Sequence, residues 1–90
     1  MDAVIVVTVK DPEGKFYKDC INNRAGIFNF KAEVKNDCEA KYICEDNFRN
    51  FNALTQSKNI MVEISTLNRI SGTYMVMYSY YGSEKRFIKH

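Results

Sequence analysis

The sequence predicts an α+β domain, in which a twisted, mainly antiparallel sheet of about six or seven short strands carries one α-helix packed on one face. Two observations predict this class. Runs of β-branched or alternating apolar residues recur along the chain and are joined mostly by short turns, which is typical of antiparallel strands. One stretch in the second half instead has apolar residues at helical spacing. The 90 residues contain no repeat or linker, so we expect a single domain over residues 1–90.

The first predicted strand covers residues 3–9, where β-branched residues occupy both faces, so we expect it inside the sheet. Asp-Pro-Glu-Gly follows at residues 11–14 and predicts a type I turn, because Pro presets the second turn position and Gly suits the fourth. A return strand is then predicted over residues 15–20. Residues 27–34 alternate and predict a strand with one solvated face, whose other face carries Phe28, Phe30, Ala32 and Val34.

The segment over residues 35–57 fits two interpretations. In the first, a single helix starts at Cys38 and is capped by Asp37. In the second, a turn leads to a strand over residues 40–44 and then to a shorter helix over residues 47–56 that Asp46 caps. The apolar stripe of that shorter helix consists of residues three apart, namely Phe48, Phe51 and Leu54. We favour the second interpretation.

Three strands are predicted at the end of the chain. Residues 59–66 place Ile60, Val62 and Ile64 on one face. Residues 72–81 form the most β-like run in the chain, with apolar residues on both faces. Gly82 and Ser83 turn this run into a short basic strand over residues 84–90.

Charge and hydropathy narrow the range of partners and locations. The formal net charge is +2, too small to predict nucleic-acid binding by itself. No apolar run approaches the ~20 residues that span a bilayer, so we expect no membrane association. The chain starts Met1-Asp2 without a signal-peptide pattern and has an odd number of cysteines, so we expect a cytoplasmic location.

The residues that carry metal or catalytic chemistry are few and poorly spaced. Soft metal ligands are limited to four residues without any C-x2-C knuckle, namely Cys20, Cys38, Cys44 and His90. The lone His is the last residue, where a base is poorly held for catalysis. The four glycines form no phosphate-binding loop. We therefore expect no metal, no cofactor, no catalytic residues and a non-enzymatic protein.

The tyrosines of the 72–81 run suggest a binding surface. Alternation predicts that Tyr74, Tyr78 and Tyr80 share one face of the sheet. Three basic residues follow on the neighbouring strand, namely Lys85, Arg86 and Lys89. Tyr, Met and Arg are enriched at protein interfaces, so these six residues are our candidate contacts with a protein partner.

Two further hypotheses use the same sheet. Aromatic rings beside cations stack bases and hold phosphates, so single-stranded nucleic acid is the alternative ligand. An exposed sheet edge recruits a partner strand or forms a homodimer. Nine Asn, and nine Lys against four Arg, are common in phage and mobile-element proteins. The protein-binding hypothesis therefore includes a phage-type inhibitor or adaptor.

Overall fold

The computed structural model describes residues 3–13 and 27–90, and this part of the chain contains five strands and one helix. These elements are β1 (Ala3–Lys10), β2 (Ile27–Lys31), α1 (Asp37–Thr55), β3 (Met61–Asn68), β4 (Thr73–Tyr81) and β5 (Arg86–Lys89). The predicted α+β class is confirmed, with somewhat fewer strands than the six or seven expected. The predicted return strand over residues 15–20 lies outside the described residues.

The five strands form one sheet in the order β2-β1-β3-β4-β5, and every neighbouring pair is antiparallel. The apolar β1 lies inside the sheet between β2 and β3, as its β-branched composition predicts. Because β2 and β3 flank the same strand, they run parallel to each other, and parallel strands need a long connection. α1 lies within that connection and packs on β3 and β4.

Residues 40–44 belong to the helix, so the predicted strand there and the cap at Asp46 are wrong. α1 begins at Asp37, and its N-cap is Asn36, whose side chain accepts a hydrogen bond of 2.8 Å from the Glu39 amide. Ala40 and Cys44 are four residues apart, and both are fully buried on one helix face. The helix ends at Thr55, and its C-cap Gln56 adopts the left-handed conformation with φ +58°.

The core lies between α1 and one face of the sheet. It is built from buried aliphatic residues of β1 and β3, two tyrosines of β4 and two small residues of α1, with Phe30, Ala32 and Val34 packed at its margin. Ile60, Val62 and Ile64 are at most 1% exposed, which confirms their predicted shared face. Phe48 and Phe51 also pack against the core, whereas Leu54 is 74% exposed and does not belong to the helix stripe.

A bulge divides β4 into two parts. Tyr78 lies opposite Ile64, but the next residue of β3, Ser65, lies opposite Val76, so Met77 is an extra residue on β4. Successive residues of β3 point to opposite faces, so Tyr78 lies on the core face, and Tyr74, opposite Leu67, lies on the other face. The prediction that three tyrosines share one face is therefore wrong.

Among the described elements, the single helix α1 lacks the length and apolar character needed to cross a membrane.

Candidate binding surface

Two of the predicted contact tyrosines are core residues. Tyr78 and Tyr80 are each 5% exposed and lie beneath the helix. The Tyr80 ring lies 5.8 Å from the ring of Phe48 on α1, and the Tyr78 ring stacks on Phe87 at 5.5 Å. Burial raises the pKa of the Tyr80 hydroxyl. These two rings stabilise the fold and offer no surface for a ligand.

Tyr78 and Lys89 both contact Asp37, which was not among the predicted contact residues. The Tyr78 hydroxyl donates a hydrogen bond of 2.6 Å to Asp37, and the Lys89 ammonium lies 2.9 Å from the other carboxylate oxygen. These hydrogen bonds lower the pKa of Asp37 and raise the pKa values of Tyr78 and Lys89. The contacts join the first turn of α1 to β4 and β5, so Lys89 acts as a structural residue here.

Lys85 is the last residue of the turn before β5, and Arg86 is the first residue of β5. The Arg86 guanidinium lies 4.9 Å from the ring centre of Tyr81 and 3.2 Å from a carboxylate oxygen of Glu84. Lys85 adopts the left-handed conformation with φ +52°, a region that glycine favours. The turn contains a hydrogen bond of 3.3 Å from the Lys85 amide to the Gly82 carbonyl. The predicted basic residues are thus spread over a turn, an aromatic pair and the contact with Asp37.

Exposed apolar side chains gather instead at the hairpin between β3 and β4. Ile70 is 85% exposed, Tyr74 61% and Met75 67%. We call these three residues the hairpin-tip surface. Met75 belongs to the core face of β4 yet remains exposed, so α1 does not cover this end of the sheet. Tyr74 and Met75 lie on opposite faces of the sheet, so the exposed apolar residues surround the end of the hairpin rather than forming one flat patch.

The loop that carries Ile70 is internally hydrogen-bonded. The Asn68 carboxamide oxygen accepts hydrogen bonds from the amides of Ile70 and Ser71, at 2.9 and 3.2 Å. The Asn68 carbonyl accepts a further bond of 2.7 Å from the Gly72 amide, and Gly72 has a φ of +70°. The loop is therefore preorganised, and a preorganised surface loses less conformational entropy on binding than a flexible one.

The same end of β4 presents a free backbone edge. β5 pairs only with residues 78–81, and the His90 amide donates a bond of 2.8 Å to the Met77 carbonyl just beyond it. Among the described strands, none lies beside residues 73–76 on this side. We call residues 73–76 the free edge of β4. Such an edge has backbone donors and acceptors available for an added strand.

Three of the four soft metal ligands in the sequence lie within the described residues, and they do not form a cluster there. Cys44 is fully buried in the core, which raises the pKa of its thiol to about 12, whereas Cys38 is exposed near the start of α1. The His90 ring nitrogen Nε2 lies 2.8 Å from the Ser79 hydroxyl. Cys20 lies outside the described residues. Within these residues no cluster of three metal-ligating side chains occurs.

A cavity of about 560 Å³ lies between the second half of α1 and the turn after β4. The ring of Phe48 forms part of its wall, and Lys58 and Lys85 line it. A Cβ atom added at Gly82 would lie 2.1 Å from Phe48 Cε2, so glycine is required for this close packing.

No protein-family model, curated protein or solved structure matches this chain.

Tyr74 was therefore correctly selected from the sequence as an exposed residue, whereas its neighbours Ile70 and Met75 were missed. A signal for Ile70 was present, since an isoleucine between polar residues in a turn has no strand neighbour to bury it. Met75 has no such signal, because alternation along a strand does not show where a helix ends above it.

Proposed function

We propose that this protein works as a non-enzymatic binding domain that recognises another protein through the free edge of β4 and the hairpin-tip surface. The partner supplies an extended, apolar segment that pairs with residues 73–76. This proposal keeps the protein-binding hypothesis of the sequence analysis but replaces its surface, because Tyr78 and Tyr80 are buried.

The observation that carries the proposal is the coincidence of an open backbone edge with exposed apolar side chains. Strand addition uses main-chain hydrogen bonds for affinity and alternate side chains for specificity. Tyr74 and Met75 lie next to each other on β4, so they flank an added strand on opposite faces of the sheet. Ile70 stands beyond the end of that strand on a hydrogen-bonded loop.

Nucleic-acid binding has weaker support from the same geometry. Stacking on bases needs exposed rings, and of the three tyrosines proposed for that role only Tyr74 is exposed. Two of the three proposed cations already contact carboxylates, since Arg86 pairs with Glu84 and Lys89 with Asp37.

The test compares two matched tyrosines in an affinity capture at about 1 µM bait, where weak self-association is negligible. Tyr74→Lys places a charge on the free edge. Tyr42→Lys makes the same change on α1, where Tyr42 is 63% exposed and lies away from the edge. We expect a protein captured by the wild type and by Tyr42→Lys to be lost with Tyr74→Lys. Circular dichroism of each variant confirms that it is folded.

The proposal is contradicted if Tyr74→Lys retains the partner or if both variants lose it equally. Replacing Ile70 with Ser provides an independent measurement on the loop. We expect it to weaken capture without changing the unfolding midpoint, because a side chain that is 85% exposed contributes little to stability.

A further inference from the structure

We infer that the free edge of β4 pairs with the same edge of a second copy of this chain, so that two five-stranded sheets join into one continuous sheet. This inference rests on the proposed function, because it uses the same edge and names an occupant for it. The two copies compete with the protein partner for that edge.

The shape of the sheet makes the edge self-complementary. β4 has nine residues and β5 has four, so β5 leaves a notch beside residues 73–76. Four residues span about 13 Å along a strand, and one strand is ~4.8 Å wide. The β4 strand of a second copy, lying antiparallel, pairs with the same side of β4 as β5 does, so that the added strand and β5 lie end to end. Each copy then fills the notch of the other.

Symmetry fixes the register of this pairing. Two antiparallel copies are related by a two-fold axis perpendicular to the sheet, which keeps the core face of both sheets on the same side. Residues directly opposite each other must share a face, so the axis passes through a residue pair. Tyr74 then lies opposite the second Tyr74, because a register centred on Met75 would place Thr73 of the second copy opposite Met77, where His90 already lies. Both helices lie on one side of the joined sheet.

The free edge of β4 differs from the outer strands of the sheet because it has no charged side chain. The outer strands are protected by charge, since β2 ends in Lys31 and β5 carries Arg86 and Lys89. Residues 73–76 are Thr, Tyr, Met and Val, without a charge or a proline. Two identical uncharged edges pair without charge repulsion, whereas an exposed lysine on a strand repels the same lysine of a second copy.

The size of the contact predicts weak association. Four paired residues and one loop in each copy bury much less than the ~1,200 Å² of a stable interface. We therefore expect a monomer at low micromolar concentration and a dimer that becomes substantial only at about 100 µM or more. At low concentration the edge remains free for another protein.

Sedimentation velocity between about 10 and 500 µM tests the inference. We expect the average mass of the wild type to rise from 10.5 kDa toward twice that value. Tyr74→Lys is expected to remain monomeric throughout, and Tyr42→Lys to associate like the wild type. A wild type that stays monomeric at 500 µM overturns the inference, as does a loss of association that is equal in the two variants.

Cysteine cross-linking tests the register independently. In a Cys38→Ser background, Tyr74→Cys places a thiol where the register brings identical residues together. We expect Tyr74→Cys to form an oxidised dimer, Met75→Cys to cross-link less because its two thiols are offset by two residues along the strands, and Tyr42→Cys to form none. If Tyr74→Cys does not cross-link, the pairing is wrong. Self-association and affinity capture are separate measurements, so absence of a dimer with partner capture intact refutes only this inference.

Discussion

Replacing Tyr80 with Ala tests whether Tyr80 is a core residue rather than a surface residue. Tyr80 is 5% exposed and its ring contacts Phe48, so truncation leaves a cavity beneath the helix. Removing a buried aromatic ring costs about 3–5 kcal/mol. A domain of 90 residues has a free energy of unfolding of roughly 5–13 kcal/mol, so this one change removes a large part of it.

The assay is urea unfolding followed by circular dichroism, with Tyr74→Ala as the matched control. Tyr74 is 61% exposed, so its truncation should cost less than about 1 kcal/mol. In thermal unfolding followed by the same signal, the Tyr80 variant should have a melting temperature at least about 12 °C below that of the wild type. Equal losses in the two variants would refute the assignment of Tyr80 to the core. The double substitution of Tyr78 and Tyr80 with Ala should leave the chain unfolded, so it cannot test a binding surface.

Three further predictions concern the turn, the helix start and the thiols. Lys85→Gly should stabilise the protein by about 1 kcal/mol, because Lys85 has a φ of +52°, and a lower unfolding midpoint would contradict this. Asp37→Asn should destabilise most between about pH 4 and pH 10 in urea titrations. Because the pKa of Asp37 is lowered in the folded state, the stability that this residue contributes is lost as pH falls below its usual pKa of 3.8. Because the pKa of Tyr78 is raised, the same contribution is lost as pH rises above the usual pKa of 10.0. A loss of stability in Asp37→Asn that is independent of pH would exclude this linkage. A thiol reagent should modify Cys38 and spare Cys44 until urea is added, as peptide mass spectrometry can show, whereas early modification of Cys44 would argue against its burial.

The fold class was predictable because the patterns of the strands are local. The 3–9 run and the alternation at residues 60, 62 and 64 specify an interior strand and a core face without knowledge of the tertiary structure. The last hairpin followed from Gly82 and Ser83, and the structure places β4 and β5 on either side of it.

The favoured interpretation misplaced the start of the helix, whereas the alternative, a single helix from Cys38, lies within one residue of it. Asn36 and Glu39 have the spacing of a capping box, and their side chains accept hydrogen bonds from the Glu39 and Lys35 amides. Ala40 and Cys44 are buried, whereas Tyr42 between them is 63% exposed. A strand would place all three on one face, so this pattern follows the helical period rather than the strand period of two.

The binding surface could not be derived from alternation because of the bulge. One extra residue, Met77, reverses the faces of every residue before it on β4, and a bulge of this kind has no fixed sequence signature. The free edge depends on a difference in length between β4 and β5, which is a property of the paired sheet. Exposure of Met75 likewise depends on where α1 lies above the strands.

Amide hydrogen exchange measured at low and high protein concentration tests the central claim most directly. At low concentration we expect amides in residues 73–76 to exchange faster than those in residues 78–81, which β5 covers. At high concentration, or with a bound protein partner, protection should increase at residues 73–76 and remain unchanged at β2 and β5. Protection that stays constant along β4, or that increases at another edge, would contradict the account.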